Sequence, residues 1–143
     1  MQKTKESERT TRRAKISWEQ SQIDLTVAKS CMKTDPDKSS LQSTQSAINA
    51  LSAVLEAHGH FQLPAYSTME LLDYCVEIDA MFEKIRSACH VLDSSLERDP
   101  FSTGPDKMSF TASFARGCWK AGQEIQATVR TYWNQHKERF FAP

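Results

Sequence analysis

LQSTQSAINALSAVLEAHG, residues 41 to 59, is the stretch whose reading decides the fold class. Its apolar side chains Leu41, Ile48, Leu51 and Leu55 recur at helical spacing, while Ala47, Ala50 and Ala53 keep the flanks small. Glu56 is its one carboxylate, and Gly59 offers a left-handed stop after the last turn. A helix this poor in charge, between segments rich in it, reads as the central stave of a bundle. Its polar residues Ser43, Thr44, Ser46, Asn49 and Ser52 form no nucleophile-and-base pattern, so the stave is scaffold.

Working outward, Ala14 to Lys33 predicts a first helix with Trp18, Ser21, Leu25, Ala28 and Met32 along one face. Pro36 ends it, and Ser39 or Ser40 is the expected cap of the central helix. Residues 1–13 are polar and basic and read as a flexible leader or the frayed start of the first helix. Beyond Gly59, Ser67 and Glu70 make a capping box for a third helix carrying Leu71, Leu72 and Cys75. Its pattern continues to Leu96, and a bend is expected near Ile78–Ala80, because so long a straight rod would overhang a domain of this size. Glu97 to Met108, with Pro100, Gly104 and Pro105, is the longest loop. The final helix runs from about Ser109 to Trp133, with Phe114, Cys118, Ala121, Ile125, Val129 and Tyr132 inward. Gly117 and Gly122 are expected to allow close helix approach. The fold class that follows is all-α, an antiparallel bundle of four to five helices in one domain over residues 14–139, with a tail at 140–143.

The 143 residues suffice for one core. A formal net charge of zero argues against a whole-surface nucleic-acid binder but leaves room for a local site. Charge is segregated: residues 1–15 carry net +4, 66–99 net −5 and 106–139 net +3. Cys31, Cys75, Cys89 and Cys118 show no CxxC spacing and read as free thiols. No apolar run reaches membrane-spanning length and no signal-peptide pattern is present, so a soluble, cytoplasmic protein without a membrane partner is expected. Glu6 and Glu8 weigh against a transit peptide at the Arg- and Ser/Thr-containing start.

Three segments together resemble the HEPN domain (higher eukaryotes and prokaryotes nucleotide-binding). They are Trp18 to Ala28 with its Asp24-Leu25 pair, Gln45 to Gly59, and Leu92-Asp93 followed by Arg98-Asp99-Pro100. Asp99 and Phe101 stand where the family's loop has tyrosine and aspartate, and Tyr66 lies near the family's histidine before the third helix. The resemblance covers roughly residues 14–133 and implies an HEPN-like bundle that pairs as a homodimer and binds a nucleotide, GTP or ATP, without catalysis, as part of a larger chaperone-related protein. It also implies two alternatives. One is a metal-independent endoribonuclease acting on RNA, for which Arg130 and His136 have the interval of the family's catalytic pair. The other is the protein-partner module of a nucleotidyltransferase pair.

A phosphate site needs converging positive side chains. The candidates are Arg98 and Lys107 in the long loop and Arg116 and Lys120, four apart on one face of the last helix. The ordinary alternative is that each is a solvated surface charge, or pairs with Glu77, Asp93 or Glu97. An RNA-cleaving Arg130 would stabilise phosphorane charge and His136 would move a proton. Six residues of helix nonetheless turn the two onto different faces, and both also suit the carboxy end of a helix dipole. His58 and His60 lack partners of ligand type, so no metal is expected, and no cofactor either. Tyr132, Trp133, Phe140 and Phe141 form an aromatic end suited to an interface.

Overall fold

In the computed structural model the described residues are 5–61, 67–96 and 110–136. They hold five α-helices: α1 (Lys5–Ser30), α2 (Pro36–Ala57), α3 (Thr68–Ile78), α4 (Arg86–Leu96) and α5 (Ala112–Gln135), with a 3-10 helix at Ala80–Ile85 between α3 and α4. No strand occurs among the described residues, and the molecule is an all-α bundle.

α2 is central, touching α1, α3, α4 and α5. Ala47, Ala50, Leu51, Ala53 and Val54 are wholly buried along it. Leu41, expected on its apolar face, is instead 54% exposed. The helix begins earlier than its apolar pattern. Asp35, not Ser39 or Ser40, caps it, its carboxylate accepting from the Lys38 amide at 3.1 Å with Pro36 in the first turn. Proline needs no amide partner there, so Pro36 opens this helix rather than merely closing the previous one. Ser39 is freed to donate to the Ala28 carbonyl at 2.6 Å, and Ser40 to that of Pro36. At the other end Gly59 takes φ +81, and the amides of Gly59 and His60 reach the carbonyls of Glu56 and Leu55. That is a Schellman stop.

α1 starts at Lys5, so helix replaces most of the expected leader. Arg13 explains the extension: it pairs with Glu56 at 3.6 Å and lies 4.4 Å from the centre of the Phe61 ring, tying the first turns of α1 to the end of α2. The α1–α2 seam is polar and small. Ser21 and Ser46 exchange hydroxyl-to-carbonyl bonds at 2.7 and 2.8 Å, and Gln126 of α5 donates to the Ser21 carbonyl at 2.9 Å. Asp24 is buried without a cation, accepting instead from Gln20 and Asn49 at 2.8 and 2.7 Å.

The bend expected near Ile78–Ala80 is a full break. Asp79 is extended, ends α3, and caps the 3-10 helix by accepting from the Met81 amide at 2.9 Å. Ser67 accepts from the Glu70 amide at 3.2 Å, as a capping box requires. Asp93 of α4 adds a second carboxylate cap to α3, taking the amides of Thr68 and Met69 at 2.9 and 3.2 Å and the Thr68 hydroxyl. It is therefore engaged at a helix start, and among the described residues no basic side chain pairs with it.

α5 is capped by Thr111, and its inner stripe follows the pattern, with Phe114 half-buried and Cys118, Ala121, Ile125, Val129 and Tyr132 buried. Gly122 lies where an added Cβ would stand 2.8 Å from Leu25 Cδ1, a genuine close approach. Gly117 does not: it is exposed and a Cβ there would meet nothing within 4 Å.

Candidate functional site

The site is built on the register of α1 against α5. Four contacts pair the helices in opposite order: Trp18 with Trp133, Ser21 with Gln126, Leu25 with Gly122, and Lys29 with Trp119. α1 is therefore antiparallel to α5 over most of its length, and the end of α1 stands beside the start of α5. A cleft of about 440 Å³ opens there, lined by Lys29, Ser30, Met32, Lys33, Thr34, Arg116, Trp119 and Lys120. Helical spacing explains the lining. Arg116 and Lys120 are one turn apart on α5, while Lys29 comes from the last turn of α1 and Lys33 from the turn that follows it.

Four cations thus share the cleft with one half-buried indole, and among the described residues no carboxylate, histidine or thiol lines it. Lys29 Nζ sits 5.4 Å from the Trp119 ring centre. Such a contact positions an ammonium group through the ring's electron-rich face and leaves its N–H donors available. No salt bridge engages any of the four among the described residues. The Ser30 and Thr34 hydroxyls donate to the carbonyls of Val27 and Cys31 and keep acceptor capacity. Chemically the cleft can hold a phosphate-rich anion beside a flat ring.

Of the residues singled out in the sequence, Arg116 and Lys120 line this cleft. Arg98 and Lys107 lie outside the described residues. Sequence reasoning missed Lys29, Lys33 and Trp119. Their signal was available: a Lys pair and an Arg–Lys pair, each four residues apart, with a tryptophan inside the second. What the linear sequence hides is that the end of α1 meets the start of α5.

Arg130 and His136 are held by different rings. Arg130 is exposed, 5.7 Å from the Trp18 ring centre, and lines a second cleft of about 340 Å³ with Lys15, Trp18, Glu19, Gln22, Trp133 and Asn134. His136 is the residue after α5, its ring 4.5 Å from that of Tyr132. His58 ends α2 and its Nε2 hydrogen-bonds the Tyr132 hydroxyl. No group of three or more possible metal ligands occurs among the described residues. Tyr132 and Trp133 are buried in the core, while Phe140 and Phe141 lie outside the described residues. No described helix is long and apolar enough to cross a membrane. No protein family, curated protein or solved structure matches the chain.

Proposed function

We propose that the protein is a non-catalytic nucleotide-binding module whose site is the cleft at the end of α1 and the start of α5. The observation that carries this reading is the convergence of Lys29, Lys33, Arg116 and Lys120 on Trp119 with no carboxylate in the lining. A nucleoside triphosphate such as ATP or GTP presents charge for the four cations and a base for the indole. The resemblance to HEPN domains, strongest to the carboxy-terminal one of sacsin, supports the same ligand class. Calorimetry with ATP and GTP tests it. Charge-assisted contacts are worth about 1.5–3 kcal/mol, so Arg116→Gln or Lys120→Gln should weaken binding about tenfold or more. Absence of saturable binding at millimolar nucleotide, or unchanged affinity in both variants, overturns the proposal.

Self-association is the second reading. Ile16 and Ile23 are 60% and 56% exposed and stand two helical turns apart on α1. A stripe of this kind suits a pairing surface between two copies. Sedimentation at tens of micromolar should report a dimer, reduced to monomer by Ile16→Lys with Ile23→Lys. A wild-type monomer removes the reading.

A further inference from the structure

We infer that the whole α1/α5 groove is a track for single-stranded nucleic acid, with the Trp119 cleft as one end. This extends the nucleotide reading of that cleft and rests on it. Both clefts lie between the same two helices, because the antiparallel register that sets Lys29 on Trp119 also sets Arg130 and Trp133 on Trp18.

All three tryptophans of the chain contribute to this one groove, Trp119 at one end and Trp18 with Trp133 at the other. Six cations line the two clefts against a single carboxylate, Glu19. Between the ends lie exposed, uncharged Thr26, Gln123 and Ala127, with Glu124 the one exposed carboxylate on this part of α5. Trp119 and Trp133 are fourteen residues apart on α5, about 21 Å at 1.5 Å per residue. A mononucleotide spans one cleft and leaves the other unused, whereas a short strand reaches both.

The chemistry at each end is alike: a cation held over an indole face. Lysine at one end and arginine at the other keep their N–H donors for phosphate, and the half-buried indoles of Trp18 and Trp119 and the planar guanidinium of Arg130 offer surfaces on which a base can stack, with buried Trp133 backing Trp18. Alternating charge and aromatic surface, without a fixed array of base-edge donors, is how sequence-tolerant single-strand sites are built. A duplex would present its bases already stacked and out of reach of these rings.

Fluorescence anisotropy of the full chain with labelled uridine and 2′-deoxyuridine oligonucleotides of about ten residues tests the inference. Binding should be at least about tenfold tighter than for ATP. Its logarithm should fall with log salt at a slope near −4, about 0.7 for each of six phosphate contacts. Lys15→Gln with Arg130→Gln alters only exposed side chains of the far cleft. That double variant should keep its melting temperature and its ATP isotherm, lose about 1.4 from the salt slope and weaken oligonucleotide binding about tenfold. Comparable affinity for the two sugars assigns recognition to phosphate and base face, and a preference for uridine assigns part of it to the 2′-hydroxyl. An oligonucleotide bound no more tightly than ATP, or a double variant with an unchanged slope, overturns the track and leaves the nucleotide site standing. Failure of both ligands removes both.

Discussion

Ser43 is buried with no hydrogen-bond partner for its hydroxyl among the described residues, on the side of α2 that Gly122 approaches. An unmet buried hydroxyl carries a desolvation penalty, and serine is also a poorer helix former than alanine. Ser43→Ala should therefore stabilise the fold by about 1 kcal/mol, read as a raised urea midpoint with unchanged slope. Asp93 is the opposite case. It accepts two α3 amides and a hydroxyl, so Asp93→Ala should destabilise by about 2 kcal/mol. The thiols divide by burial. Burial, reinforced by nearby Cys89, pushes the Cys75 thiol up, and burial with the neighbouring Asp93 pushes Cys89 up to about 12. Both stay neutral in the folded state where an unfolded thiol near 9 has already ionised. The unfolded state then holds fewer protons, so this contribution is full below about pH 9 and is lost as pH rises towards 12. A disulfide reagent at mild pH should label half-exposed Cys31 rapidly and the other three cysteines only after unfolding.

At the scale of elements, the two glycines of α5 separate what spacing reveals from what it hides. Gly122 follows Cys118 by four residues and shares the buried stripe; Gly117 stands one residue off it, on the exposed side. Face arithmetic distinguishes them, although treating both as contact points does not. Gly117→Ala should add about 1 kcal/mol of stability, roughly 4 °C in Tm, because it restores helix propensity with no neighbour to disturb. Gly122→Ala should fall short of that gain, since Leu25 Cδ1 must move aside first. The central stave, the break at Asp79 and the Ser67 cap were all legible in the sequence, each from a strong local signal. The start of α2 was obscured by competition. Asp35, Ser39 and Ser40 can all cap a helix, and only the preference of proline for the first turn picks Asp35. The long start of α1 was hidden for another reason: its anchor, Arg13 on Glu56 and Phe61, is tertiary.

For the whole molecule, segregated charge was legible as acidic and basic segments, but its destination was not. A composition of net zero conceals two clefts whose described lining carries six cations and one carboxylate, because acidic residues collect on α3, with Glu70, Asp73 and Glu77, or turn away from the clefts, as buried Asp24 does. Half of the phosphate-site candidates, Arg116 and Lys120, line a cleft; their partners come from a helix some eighty residues away in sequence. The reciprocal bonds between Ser21 and Ser46 have a mechanical consequence. Sliding α1 by one turn along α2 would strand two hydroxyls and break the Gln126 bond to Ser21 at the same time. α1 is thus pinned near its middle and, at twenty-six residues, is a stiff rod about 39 Å long. With Arg13 tied to Glu56 near its start and the Ala28 carbonyl to Ser39 near its end, the rod resists tilting as well as creeping, so a load at Lys29 is borne by α1 and α2 together.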